Sequence, residues 1–292
     1  MGQNIHTSEF RVEAKKKINL EKWPTKINLF YNSKNEYQGI LEKHIKRLRT
    51  LQEILYADDQ YALLLIFQAM DAAGKDSAIK HIMSGVNPQG CQVHSFKHPS
   101  TEELDHDFLW RTTRHLPERG QIGIFNRSYY EEVLVVRVHP EFLDLQKLPS
   151  GAGGKNLWKH RFEEINAFEK YLVRNGIVVL KFFLNLSKEE QKKRLLARIN
   201  TPEKNWKFSL TDAKERVYWD NYMKAFEDTF NHTSTEHAPW YIIPADHKWF
   251  SRAAIADVIV EKLRSLKLHY PVPSAEHRRH LLQAKKMLEN ER

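Results

Sequence analysis

The sequence predicts an α/β fold: three layers around a mainly parallel, five-stranded sheet. Three observations carry that prediction. Short apolar runs alternate along the chain with longer segments of helical periodicity, the pattern of strands buried on both faces. The first run, Ala62 to Phe67, ends in small residues and is followed by Gly74-Lys75 at the start of a helix-forming stretch, as in a strand feeding a phosphate loop. Another run, Ile122 to Phe125, passes directly into Asn126 and Arg127, where open α/β sheets place ligands.

Residues 1 to about 32 lack clear periodicity and are expected to form an extended arm against the main body. Ser33 and Glu36 have capping-box spacing, and Leu41, Ile45, Leu48 and Leu55 then share one helical face until Asp58-Asp59. After the first strand, a helix from Asp76 should end near Ser84-Gly85, and Asn87 to Gly90 should turn into a second strand, Cys91 to Phe96. Ser100 and Glu103 should cap a helix through Leu104, Phe108 and Leu109 that Pro117 ends.

The third strand follows, then Val133 to Leu148 and the Gly-rich stretch Pro149 to Gly154, expected to form a mobile excursion. Trp158, Ile165, Phe168 and Leu172 mark a long helix that Asn175-Gly176 stops before a fourth strand, Ile177 to Leu184. Ser187 and Glu190 should cap a helix carrying Lys192, Lys193, Arg194 and Arg198, broken at Asn200-Thr201-Pro202. A helix from about Asp212 to Asn231, a fifth strand from Trp240 to Ile243, a helix from Lys248 to Leu266 and a charged peripheral helix from His277 complete the chain. With a phosphate loop after the first strand, this order suggests a core like that of the nucleoside monophosphate kinases. The expected division is an arm and helix over 1–58, a core with a helical lid over 59–270, and a tail helix over 271–292.

The 292 residues are enough for one large domain with an inserted lid. Lys and Arg number 46 against 37 Asp and Glu, a formal charge of +9, which favours a polyanionic partner. The single cysteine, Cys91, excludes an intramolecular disulfide, and no apolar run has the length of a membrane span, so the cytoplasm is the expected location. The fifteen histidines show no close metal-ligand spacing and are given no catalytic role.

The loop departs from the usual G-x-x-x-x-G-K-[ST] pattern, with Ala69 at the first glycine and Asp76 at the hydroxyl position. Alone it would read equally well as an ordinary strand-to-helix turn. Its chemistry depends on what accompanies it, because phosphoryl transfer demands a cradle, a metal and positioned cations. Ala72, Ala73, Gly74, Lys75 and Asp76 supply the cradle. Asp71, an acid among expected phosphates, makes sense if Mg2+ lies between them. Arg127 could grip a phosphate with its fork. Arg194 and Arg198, four apart before Pro202, suggest a lid that swings two cations over the reacting group, against the simpler reading of a solvated helix face. Arg137 lies among apolar neighbours and is a further candidate for the polyanion.

Several motifs together resemble the polyphosphate kinase 2 family. F-Q-A-M-D-A-A-G-K-D (Phe67 to Asp76) resembles its first nucleotide-kinase motif, H-D-F-L-W-R (His106 to Arg111) its central helix, and G-I-F-N-R-S-Y-Y-E (Gly123 to Glu131) its second motif. W-K-F-S (Trp206 to Ser209) and A-P-W-Y-I-I-P-A-D-H-K-W-F (Ala238 to Phe250) resemble its C-terminal blocks. The resemblance spans roughly Phe67 to Arg252. It implies a Mg2+-dependent, reversible transfer of a phosphoryl group from inorganic polyphosphate to a nucleotide, on a P-loop kinase fold with a helical lid.

On that resemblance Asp71 and Lys75 match the essential loop residues, Arg127 the second-motif arginine and Arg194 a lid-region arginine. Asp71, Arg111 and Asn126 are the expected nucleotide contacts, with Asp71 also the metal ligand. Asn126 departs from members that carry aspartate there, which shifts metal binding further onto Asp71. R-V-H-P (Arg137 to Pro140) resembles the branch that accepts both AMP and ADP, giving ADP and ATP. The expected partners are therefore polyphosphate and adenine nucleotides, with a homo-oligomer and neither nucleic acid nor membrane. Two other readings are an ATP-dependent nucleoside monophosphate kinase and a non-catalytic polyanion-binding protein of the same fold.

Overall fold

The computed structural model describes residues 5–27 and 34–291. Five strands, β1 (Ala62–Gln68), β2 (Cys91–Ser95), β3 (Ile122–Asn126), β4 (Ile177–Asn185) and β5 (Trp240–Pro244), form one sheet in the order β2-β3-β1-β4-β5. Every pairing in it is parallel, with Leu65 of β1 opposite Ile124 on one side and Leu180 on the other. The central strand is buried along its whole length, as its unbroken apolar run requires.

Strand alternation divides the core into two. Leu63, Leu65 and Phe67 join Leu180, Phe182 and the helices Lys34–Asp58, Lys75–Ile82 and Lys248–Ser265. Leu64 and Ile66 face the opposite layer, with Phe125, Val179, Phe183, Trp240 and the helices Leu157–Arg174 and Trp219–Thr233. On the first helix Leu41, Leu48 and Leu55 are buried as expected. Its expected cap, Ser33, lies outside the described residues.

The described part of the arm packs on the edge of β5. Arg11 bridges Tyr241 antiparallel, and the Val12 N–H donates to the Trp240 carbonyl at 2.9 Å. Among the described residues no helix is long and apolar enough to cross a membrane.

The segment expected to form one helix from Ser100 toward Pro117 instead makes two single turns, Thr101–Leu104 and Trp110–Thr113. The Ser100–Glu103 capping box is present, but the Asp107 carboxylate accepts the Leu109 N–H at 2.9 Å, a local bond that competes with helix continuation. The helix expected from Asp212 likewise starts as Leu210–Lys214, tightens to a 3-10 turn over Glu215–Tyr218, and resumes as Trp219–Thr233. The stretch after β3 forms short turns rooted by buried Val133 and Leu134. The tail helix, Ala275–Glu289, is exposed throughout and capped by Ser274.

Beneath the sheet Lys181 of β4 interrupts an apolar strand and is fully buried. Its ammonium donates to Glu169 at 2.6 Å, to the Tyr130 hydroxyl at 2.9 Å and to the Thr233 carbonyl at 2.8 Å. Tyr129 and Tyr130 donate to the other oxygen of Glu169 at 2.9 and 2.8 Å. A buried charge is tolerated only when so compensated. The network ties the segment just after β3 to the long helix behind it.

Candidate active site

The loop between β1 and the helix Lys75–Ile82 is tight enough to need left-handed backbone at Gly74 (φ +105°) and at Ala72 (φ +62°). Arg127, directly after β3, is left-handed as well (φ +65°). For a residue with a Cβ this conformation costs about 1–3 kcal/mol, and such residues cluster where a site holds its groups in place.

The helix Lys188–Ile199 fixes the loop from one side. Gln191 donates to the Asp71 carbonyl at 3.0 Å, and Nη1 of Arg194 donates to the carbonyls of Ala73 at 2.7 Å and Ala72 at 3.4 Å. A trans peptide sets its N–H opposite its C=O, so drawing these carbonyls toward the helix Lys188–Ile199 turns the following N–H groups away from it. The first four N–H groups of the loop helix have no intrahelical acceptor and add to this donor surface.

Arg194 is therefore placed differently from the swinging lid cation its spacing suggested. Its guanidinium is buried, with further bonds to Glu190 (2.9 Å) and to the carbonyls of Ala245 (2.7 Å) and Asp246 (3.0 Å) after β5. The helix cap explains part of this. Ser187 accepts the Glu190 N–H, but the Ser187 N–H is taken by Asp246, leaving the Glu190 carboxylate for Arg194.

On the other side of the loop the charged groups converge. Arg127 donates through Nη2 to Asp71 at 2.6 Å and through Nη1 to Glu131 at 2.8 Å. Glu131 foremost, and Asp71 with it, hold the guanidinium protonated against the cost of burial. Lys75 is buried and its ammonium donates to the Ala69 carbonyl at 3.0 Å. Burial, then the nearby Arg127 charge, lowers its pKa to about 8, opposed by Asp71, Glu131 and Asp76. Asn126 donates to Asp76 at 2.6 Å, and its side-chain oxygen is buried with no hydrogen-bond partner.

A cleft opens beside this group, lined by Asp71, Arg127 and Glu131 together with Val135, Tyr222 and Phe226. Glu215 is held at its wall by the Tyr222 hydroxyl and His139 Nε2, both at 2.8 Å. Asp212 is paired to Arg198 at 2.9 Å, and burial and the Asp71 charge raise its pKa.

Of the residues singled out from sequence, Asp71, Ala72, Ala73, Gly74, Lys75, Asp76, Asn126 and Arg127 lie together, with Arg194 behind them. Arg111 donates to the Lys97 carbonyl at 2.7 Å and lies over the Phe96 ring. Arg137 pairs with Asp228 on the helix Trp219–Thr233 and makes no hydrogen bond to the loop. Sequence reasoning gave no role to Glu131, Gln191, Glu215 or Tyr222. Only Glu131 had a usable signal, standing four residues after Arg127.

Among the described residues no three His, Cys, Asp or Glu side chains are grouped to hold a metal. The donor set nevertheless fits Mg2+, which commonly takes one or two carboxylates and completes its shell with water and substrate phosphate. Asp71 offers the oxygen that does not bond Arg127.

A family model described as polyphosphate kinase 2 matches residues 31–270. The chain is 55% identical over 285 residues to an ADP-polyphosphate phosphotransferase of Rhodopseudomonas palustris, covering 97% of this chain and 99% of that protein. It is 41% identical over 266 residues to an AMP/ADP-polyphosphate phosphotransferase of Meiothermus ruber, covering 91% and 96%. The crystal structure of polyphosphate kinase 2 from Arthrobacter aurescens TC1 superposes with a TM-score of 0.83 at 38% identity, covering 95% of this chain and 96% of that one.

Proposed function

The chain belongs to the polyphosphate kinase 2 family, and from that premise we propose that it transfers phosphoryl groups reversibly from inorganic polyphosphate to AMP and to ADP, with Mg2+. It is a polyphosphate-dependent nucleotide phosphotransferase. The observation that carries the chemistry is the meeting of Asp71 and Lys75 from the loop with Arg127, 56 residues beyond Asp71, at the ends of β1 and β3. The relative with both nucleotides in its name supports the dual acceptor.

The transferring phosphoryl group spreads negative charge over its oxygens, so the protein's work is positioning and charge stabilisation. Loop N–H groups and Lys75 receive that charge, Lys75 exchanging the Ala69 carbonyl for a phosphate oxygen. Arg127 supplies its fork, held in place by Glu131 and by one oxygen of Asp71. Asp71 would hold Mg2+ together with the substrate phosphates, and the ion would supply positive charge there. Gln191 and Arg194 position the loop without touching the reacting atoms. The cleft walled by Val135, Tyr222 and Phe226 suits the nucleoside of the acceptor, with Asn126 and Arg111 on its phosphate side.

Arg198 and Arg137 complete the expected polyanion contacts in this reading, as do the arm (1–58), core with lid (59–270) and tail (271–292), a cytoplasmic location and a homo-oligomer. Burial pushes the Cys91 thiol up to about 11, which keeps it protonated and inert in such a compartment. Donor choice is the test. With Mg2+, polyphosphate and ADP but no other nucleotide, ATP should form as polyphosphate is consumed, whereas a nucleoside monophosphate kinase would leave polyphosphate intact and make ATP only together with an equal amount of AMP.

A further inference from the structure

Arg127 holds a left-handed backbone and a fixed fork at once, and the residues that follow it supply the restraint. Its own N–H donates to the Phe67 carbonyl at 3.0 Å, near the end of β1. Ser128 is buried, and its hydroxyl accepts the Tyr130 N–H at 3.2 Å and the Gln68 side chain at 3.3 Å. The chain then makes the 3-10 turn Tyr129–Val133, from which Glu131 reaches back to Arg127 at 2.8 Å. Left-handed backbone at a residue with a Cβ persists only where its surroundings leave it no alternative.

Glu131 stands between two anchored neighbours. Tyr130 is fully buried; its hydroxyl donates to Glu169 at 2.8 Å and accepts from the Lys181 ammonium at 2.9 Å, and its ring lies 4.8 Å from that of Trp240. Glu132, also buried, accepts from Gln146 at 2.8 Å and from Nε of Arg161 at 3.1 Å. Arg161 and Glu169 lie about two turns apart on the helix Leu157–Arg174, so one rigid element holds the turn on both flanks of Glu131. Neither Tyr130 nor Glu132 lines the cleft. Buried ion pairs add little net stability over apolar residues of the same volume, but their hydrogen bonds have direction.

We propose that the helix Leu157–Arg174, acting through Tyr130 and Glu132, sets the angle at which Glu131 presents the Arg127 fork to the transferring phosphoryl group. Tyr130 and Glu132 are thus positioning residues. Loss of either anchor leaves Arg127 present but misaligned, which slows the chemical step more than it weakens binding. The inference rests on Arg127 acting in the proposed transfer.

A double-mutant cycle tests it. Tyr130→Phe keeps the ring and removes the hydroxyl, and Arg127→Lys keeps the charge and removes the fork. The single variants, their combination and the unaltered protein are compared in kcat and KM with polyphosphate and ADP, at a temperature where circular dichroism shows all of them folded. Alone, Tyr130→Phe should lower kcat roughly tenfold and leave the KM for ADP within about twofold. In the Arg127→Lys background it should cost less than about twofold, because no fork is left to orient. Equal losses in the two backgrounds, or a lower melting point with kcat unchanged, would reduce Tyr130 to a packing residue and overturn the positioning role. If Tyr130→Phe does not fold, Glu132→Gln, which keeps the size and one acceptor, runs the same cycle and is judged by the same criterion. An unaltered protein that makes no ATP from polyphosphate and ADP would instead overturn the underlying reading, and the positioning role with it.

Discussion

The Asp71 carboxylate accepts a 2.6 Å hydrogen bond from Nη2 of Arg127, which joins the acid of the phosphate loop to the cation after β3 in one charge-assisted unit. Charge assistance of this kind strengthens a hydrogen bond roughly twofold and fixes its direction. In the proposed reaction Asp71 would thus have two roles, orienting Arg127 and offering its second oxygen to a metal.

Asp71→Asn keeps the size and an acceptor for Arg127 but removes the charge. Its turnover should fall roughly a hundredfold or more, and half-maximal rate should require more Mg2+. The pair is partly solvent-exposed, at 34% and 29% of the two side chains, so the unfolding midpoint should change little. Titrating Mg2+ against rate checks this; an unaltered Mg2+ response would reduce Asp71 to a turn residue.

In the proposed reaction Lys75 should set an alkaline limit. Its pKa is lowered to about 8 in the folded protein, so it is charged below that pH and loses its charge as pH rises through it. The kcat/KM for polyphosphate should therefore decline above about pH 8, and the decline should move upward in Lys75→Arg if that variant retains activity. Lys75→Ala should lose a hundredfold or more at every pH while folding normally. A flat kcat/KM profile to pH 9.5 would contradict the assignment.

Arg194 should behave unlike Lys75. Arg194→Ala removes the donor from the Ala73 and Ala245 carbonyls, at about 1–3 kcal/mol for each buried acceptor left unpaired. Activity and thermal stability should fall together, whereas Lys75→Ala loses activity alone. Parallel melting curves and rates for the two variants distinguish a positioning arginine from a lid cation, whose removal would spare stability.

The buried network behind β3 gives a prediction about folding. Lys181→Met leaves the buried Glu169 without its counter-charge and should cost about 3–5 kcal/mol, while adding Glu169→Leu should restore part of that loss. Urea unfolding of the single and double variants reads the difference. Equal midpoints in both would mean that the pair is not coupled.

Much of this fold could be read from the sequence because β1, β3 and β5 are largely apolar runs and the breaks between elements carry Gly, Pro or a capping residue. The loop group was legible for the same reason, since Asp71 and Lys75 lie in the turn from β1 into the next helix and Arg127 directly follows β3. What stayed hidden depends on long-range partners. Lys181 sits in an apolar strand with no local sign of Glu169, Tyr130 and the Thr233 carbonyl, its partners elsewhere in the chain. Arg194 has the spacing of a surface helix cation, and only the fold brings the loop carbonyls to it. The segment from Ser100 to Thr113 keeps its cap but not its continuity, because the Asp107 side chain takes a backbone donor that periodicity does not register.

In the proposed reaction one site passes phosphoryl groups from polyphosphate to AMP and then to ADP. The direct measurement is a time course by phosphorus NMR or chromatography, starting from AMP, Mg2+ and excess polyphosphate with no other nucleotide. ADP should form first and ATP later, with polyphosphate consumed in step, and Lys75→Ala should remove both stages together. Product that stops at ADP, or no reaction with AMP while ADP is converted, would contradict the dual acceptor; no nucleotide product from either would contradict the transfer itself.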